Sequence, residues 1–167
     1  FIALHGRPGE DGVVQSKLER VGLPYNGSGV STSQITIDKF ATNELLMKNG
    51  LHAAHHRVVS ETEWRHDPSA LEESLLKEFS FPFIAKPVDD GCSSAVKIIR
   101  NENELHAFAE LIFRKTEELV PAAATLLKIK PKEEFPNKNC FLIEELVTKK
   151  GSSRFLEVTG GLLTFYD

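Results

Sequence analysis

The residues best placed to do chemistry start at Lys86. It closes the apolar run Phe83-Ile84-Ala85 and is followed by Pro87-Val88-Asp89-Asp90-Gly91-Cys92-Ser93-Ser94. A strand that ends in a lysine and opens into a loop of small residues leaves backbone N–H groups free to face an anion. The ammonium adds a point charge for phosphate oxygens. Read alone, the segment is an ordinary hairpin with an exposed lysine and a glycine turn. Other segments add to it. Lys39 stands at the start of a predicted helix after Ile37-Asp38. Glu144 and Glu145 end the apolar run Phe141-Leu142-Ile143, ahead of Leu146-Val147, and Glu157 opens Glu157-Val158-Thr159-Gly160-Gly161. Each acid alone is more often a solvated charge than a ligand contact. Together they are what an adenosine triphosphate site needs: acceptors for the adenine amino group and ribose hydroxyls, and cations for the phosphates.

These residues need elements to position them. Phe1 to Leu4 reads as a short buried strand running into a Gly-rich turn, Gly6 to Gly12. Asp11 is a candidate cap for a helix carrying Val14, Leu18 and Val21, with Gly22 as its stop. Residues 23–29 read as a linker or crossover, and a second helix is predicted over 37–48, ending at Gly50. His55 to Val59 is a weak strand candidate. A helix over 69–79 puts Leu71, Leu75 and Phe79 on one face. Strands are predicted at 81–85 and 96–99, paired as a hairpin, and at 141–143. Asn101 opens the clearest helix, with Glu104 in the capping-box position and Leu105, Phe108, Ala109, Ile112 and Phe113 in one stripe. Residues 115–139 are charged, contain proline and lack a clean period, so an insertion or mobile loop is expected there. Residues 154–159 and 162–166 look like a hairpin turning at Gly160-Gly161. No internal repeat is found.

Composition narrows the partners. At 167 residues the chain suits one domain, or a small domain with part of another. Its 20 Lys+Arg against 24 Asp+Glu give a net charge of -4, which argues against a general nucleic-acid binder. No apolar run reaches the ~20 residues that span a bilayer. The two cysteines, Cys92 and Cys140, lack metal-site spacing and fit a reducing compartment. His52, His55 and His56 have no carboxylate or cysteine at sensible spacing to complete a metal site and read as a surface cluster. Trp64 and His66 read as loop residues, Cys140 as a small buried strand neighbour, and Lys149-Lys150 as a solvated hairpin tip.

The run His5-Gly6, Gly9-Glu10-Asp11-Gly12, Gln15, Leu18-Glu19, Gly22, Pro24-Tyr25, Gly27-Ser28-Gly29-Val30 and Asp38-Lys39 resembles the D-alanine–D-alanine ligase family of the ATP-grasp superfamily. Lys86-Pro87, Gly91, Ser93, Ile143-Glu144-Glu145 and Glu157-Val158-Thr159 continue the likeness in order. It touches most of the chain except 115–139, and the run from His5 to Lys39 is its most specific part. The resemblance implies an α/β and α+β fold class. Residues 1–33 would end a Rossmann-like N-terminal domain, 34–147 would form the small ATP-grasp lobe, and 148–167 would start the large lobe. It implies ATP phosphates held by Lys39 and Lys86, and adenine met by Glu144 and the backbone around Glu145 and Val147. Glu157 would meet the ribose, and a loop at Cys92 and Ser93 would close over the phosphates and the D-alanine site. His5 would lie beside the reacting groups. The implied reaction activates one D-alanine carboxylate as an acyl phosphate, which the amine of a second D-alanine attacks. Mg²⁺ is implied too, with ligands outside these residues. The parent would be a bacterial cytoplasmic homodimer serving cell-wall precursor synthesis, with ATP and D-alanine as its partners and neither nucleic acid nor membrane among them.

The sequence also departs from the family pattern. The family loop reads Gly-Ser-Ser, an apolar residue, then glycine, whereas here it reads Gly91-Cys92-Ser93-Ser94-Ala95. A thiol, the weaker hydrogen-bonding group, replaces the first serine hydroxyl. The family's metal-binding acids and asparagine, its oxyanion arginine and its N-terminal glutamate have no counterpart here. Both termini fall in apolar runs, so a piece of a longer protein is expected, inactive by itself. The rival readings are an ATP-grasp ligase with another acceptor, such as D-lactate, and a nucleotide-binding module without catalysis.

Overall fold

The structure, a computed structural model, describes residues 1–91 and 93–148. Its frame is a four-stranded antiparallel sheet among these residues, in the order β1-β4-β2-β3. The strands are β1 (His56–Ser60), β2 (Phe83–Pro87), β3 (Lys97–Ile99) and β4 (Cys140–Glu145). The period-two side-chain alternation sorts them into two faces. Phe83, Ala85, Ile99, Phe141, Ile143 and Val59 point to one face and are fully buried. There they meet Leu71 and Leu75 of α5 (Pro68–Glu78) and Leu105, Phe108 and Ile112 of α6 (Glu102–Ile112). Register places Ile84, Lys86, Leu142, Glu144 and His56 on the other face.

The ends of these elements follow local rules. Asn101 caps α6 by accepting from the Glu104 N–H at 3.0 Å. The Glu104 carboxylate reaches the Arg100 N–H at 2.8 Å, one residue before the position a capping box would use. A full capping box opens α4 (Glu61–His66), with Ser60 and Glu63 bonding reciprocally. This overturns the loop reading of Trp64 and His66: both are helical, and Trp64 is buried edge-on to His106 at 5.1 Å.

Other expectations are corrected as well. Phe1 to Leu4 forms no strand, because no described strand lies beside it, and Leu4 is exposed. After α1 (Val13–Arg20), the stretch between the linker expected at 23–29 and the helix expected from residue 37 forms α2 (Val30–Ile37). Its β-branched residues disguise a helix that packing imposes. Val30 comes so close to Gly12 (φ +86°) that a Cβ there would sit 2.8 Å from its carbonyl oxygen. Asp38 then breaks the chain direction and caps α3 (Lys39–Lys48) by accepting from the Ala41 N–H at 2.8 Å.

Residues 115–139 are no loose insertion. They carry α7 (Pro121–Leu126), which packs on α6. Ala123, Leu127 and Phe135 are buried in the main core, with Phe135 edge-on to Phe108 at 5.4 Å. Replacing Phe135 with Ala should therefore cost roughly 3–5 kcal/mol, as for a core phenylalanine, when urea unfolding of the full-length parent protein is measured. A loss under about 1 kcal/mol would mean that the segment is a surface appendage.

Candidate functional site

The two lysines come from different elements. Lys86 is carried on the non-core face of β2. Lys39 is the first residue of α3, which lies over that face near β1, where Phe40 meets the His56 ring at 5.5 Å. Packing α3 there brings both amines to the carboxyl end of β2. Glu144 lies opposite Ile84 in the ladder and is thus diagonal to Lys86, whose ammonium it accepts. The second Glu144 oxygen accepts from Asn43 Nδ2 at 3.1 Å, one helical turn beyond Lys39. The Lys39 ammonium donates to the Asp90 carbonyl at 2.5 Å, while its backbone N–H donates to the Val88 carbonyl at 2.8 Å. Helix α3, strand β4 and the loop after β2 are thereby tied into one constellation.

Its electrostatics centre on Lys39. Burial lowers the Lys39 pKa below its ordinary value. The Lys86 charge lowers it further, against the opposing pull of Asp90 and Asp89. A cation that has lost water and faces a second cation is better satisfied by a polyanion than by the carbonyl it now holds. Lys39 also lines a cleft of about 490 Å³ with Glu10, Gln15, Ser33, Asp90 and Gly91.

Other expected site residues are placed differently. His5 is exposed, 3.9 Å from Glu10, and lines a neighbouring cleft of about 670 Å³ with Gly91 and Ser94. The N-terminal turn and the loop after β2 therefore do share a cleft. Glu145 is exposed, its N–H bonded to the His55 carbonyl at 2.8 Å, and Val147 is also exposed. Cys92 and Glu157 lie outside the described residues, as does the hairpin expected over 154–166. Sequence reasoning missed Asn43, whose only signal is its spacing of four from Lys39. It also missed the partners of the acidic pair Asp89-Asp90: Arg7, 2.6 Å from Asp89, and Lys138, 3.0 Å from Asp89 and 3.3 Å from Asp90. His56 is not a surface histidine, since its ring is almost fully buried. Among the described residues no group of three or more His, Cys, Asp or Glu comes together to hold a metal, and no helix is long and apolar enough to cross a membrane.

The loop also carries backbone strain. Ser93 (φ 56°) and Ala95 (φ 49°) adopt the left-handed conformation, and Ala95 is fully buried there. The left-handed region costs a side-chain-bearing residue about 1–2 kcal/mol.

A four-stranded antiparallel sheet flanked by helices, with a lysine-bearing strand beside a lysine-bearing helix, has the mixed α/β fold of the ATP-grasp ligases. The "D-ala D-ala ligase C-terminus" family profile matches residues 45–125. A D-alanine–D-alanine ligase from Geobacter sulfurreducens is 40% identical over 120 residues, which is 72% of this chain and 36% of that protein. The crystal structure of D-alanine–D-alanine ligase from Bacillus anthracis matches 87% of this chain and 38% of its own at 27% identity, with a TM-score of 0.60. The same enzyme complexed with ATP matches at 26% identity and a TM-score of 0.59, over 87% of this chain and 39% of its own. The chain belongs to the D-alanine–D-alanine ligase family. It spans well under half the length of the relatives it matches.

Two outcomes follow from this geometry. Because the folded-state pKa of Lys39 lies below the unfolded one, the fold binds fewer protons between the two values, and stability rises with pH across that interval. In the nucleotide-free parent protein, Lys39→Met should be at least as stable as the unsubstituted protein at pH 7. The unsubstituted protein should gain on the variant as pH climbs toward the ordinary lysine range, read as thermal midpoints by calorimetry. A constant difference across pH would contradict the assigned charge environment. Separately, Ala95→Gly should raise stability by up to about 1 kcal/mol in the same assay. A loss larger than about 1 kcal/mol would show that the buried methyl outweighs the strain.

Proposed function

We propose that this chain is the nucleotide-gripping part of an ATP-dependent ligase that joins two D-alanines. Residues 1–33 would complete an N-terminal α/β domain, 34–147 form the small ATP-grasp lobe, and 148–167 begin the large lobe. The observation that carries this reading is the meeting of Lys39 and Lys86 at one desolvated place, tied to Glu144 and to the loop after β2.

In this reading Lys39 and Lys86 hold phosphate oxygens. Their present partners, the Asp90 carbonyl and Glu144, keep the amines in position until the nucleotide arrives. Once Lys86 turns to phosphate, Glu144 can accept from the adenine amino group, held by Asn43. The exposed backbone from Glu145 to Val147 offers further adenine contacts, and Glu157 would meet the ribose. The loop at Cys92 and Ser93 would cover the phosphates, with His5 across the shared cleft. Bound ATP would supply the phosphoryl group that turns one D-alanine carboxylate into an acyl phosphate, from which the amine of the second D-alanine displaces phosphate. Charge on the transferring group is offset by preset cations, so the chain's contribution is positioning and electrostatics. Mg²⁺ would share that task through ligands beyond the described residues. The parent would work as a homodimer in a bacterial cytoplasm, in peptidoglycan precursor synthesis.

The test is D-alanine-dependent phosphate release by the full-length parent. Turnover with D-alanine alone is expected, and Lys39→Met should lower kcat/KM by about 100-fold or more, the scale for removing a positioned charge. Turnover with D-lactate as the only acceptor would reassign the substrate. ATP binding without any turnover would make the protein a nucleotide-binding module.

A further inference from the structure

The loop after β2 presents a physical contradiction. Asp89 and Asp90 follow Lys86 by three and four residues and set two carboxylates beside the paired lysines. Carboxylates in that place repel a triphosphate, unless their charge is met. It is met from far away in sequence. Arg7 binds Asp89, and Lys138 binds both acids, its ammonium 3.0 Å from Asp89 Oδ1 and 3.3 Å from each Asp90 oxygen. Lys138 is the only side chain that pairs with the Asp90 carboxylate among the described residues. The contact is mostly shielded from solvent, so salt screens it less than a surface pair. Burial pushes the Asp89 carboxyl up, yet Lys138 and Arg7 hold it below its ordinary value.

Lys138 is held firmly enough to act. Its backbone N–H donates to the Ile112 carbonyl at 2.7 Å, fixing it to the end of α6. The same segment holds the loop and the strand that follows it: Ser94 Oγ donates to the Glu134 carbonyl at 3.2 Å, and Lys97 at the start of β3 pairs with Glu133 at 2.5 Å. Phe135 in between is anchored in the core.

We propose that Lys138 is a positioning residue for nucleotide binding: it neutralises the Asp89-Asp90 pair and fixes the loop so that the Asp90 carbonyl aims the Lys39 ammonium. The packed segment 115–139 is then the part that lets this chain use an acidic phosphate-side loop. The inference rests on the nucleotide reading given above.

The experiment measures binding of the ATP analogue AMP-PNP with Mg²⁺ to the full-length parent by calorimetry, with thermal midpoints of each nucleotide-free variant alongside. Lys138→Ala should weaken binding roughly tenfold, and Lys138→Arg should stay close to the unsubstituted protein. The double variant Lys138→Ala with Asp90→Asn, which removes the uncompensated charge together with its partner, should recover most of the loss. It also stands in should Lys138→Ala alone prove unstable, since it buries no lone carboxylate. Equal binding by Lys138→Ala and the unsubstituted protein overturns the inference. So does a double variant no tighter than Lys138→Ala, because a purely mechanical brace is not rescued by removing a charge. If the unsubstituted protein binds no AMP-PNP, the nucleotide reading itself falls and takes this inference with it.

Discussion

Two ammonium groups brought together inside a fold repel each other and lose hydration, and neither loss is recovered by packing. Here the arrangement is held by neighbours that each take only part of the charge. Lys86 has a carboxylate, Glu144, that is itself steadied by Asn43. The Lys39 ammonium donates to a carbonyl, that of Asp90, and burial together with the Lys86 charge depresses its affinity for its proton. The asymmetry leaves one cation satisfied and the other in want of an anion. The antiparallel register that puts Lys86 diagonal to Glu144 and the packing of α3 on the non-core face are both needed for it.

The core and the site occupy opposite faces of one sheet, which separates stability from chemistry. Phe83, Ala85, Phe141 and Ile143 bury one face against α5 and α6. The other face can then carry Lys86 and Glu144 at a lower cost in desolvation, because it is only partly covered. Leu142 is the exception, fully buried on the site side yet outside the main core cluster. The loop after β2 bears the tension between the two tasks. It keeps Ser93 and Ala95 in left-handed geometry and an acidic pair beside two cations, and it is held there by contacts with the packed segment 115–139. Such strain persists only where the surroundings over-determine it.

Much of the frame was legible along the chain. The stripe of α6, its Asn101 cap, the β2–β3 hairpin and β4 all show in periodicity and turn chemistry, because the forces that form them act between near neighbours. The capping box at Ser60 and Glu63 was equally readable as Ser-x-x-Glu, and the loop reading of Trp64 overlooked it. Helix α2 was not readable, since Val30, Thr32, Ile35 and Ile37 argue locally for a strand and only packing against Gly12 decides otherwise. Segment 115–139 has no period because its buried residues, Ala123, Leu127 and Phe135, dock from a short helix and from irregular backbone.

For the site, residue types and order determined which groups were candidates: a lysine opening a helix, a lysine closing a strand, an acid pair ending another strand, and a family motif running from His5 to Lys39. These are local facts, since they depend on which side chain stands at which end of which element. Tertiary structure alone decided that Lys39 faces Asp90 rather than solvent, that Asn43 shares Glu144 with Lys86, and that Lys138 and Arg7 neutralise a pair of aspartates. Electrostatic pairing falls off with distance in space and takes no account of separation along the chain, so only the folded packing could assign those partners.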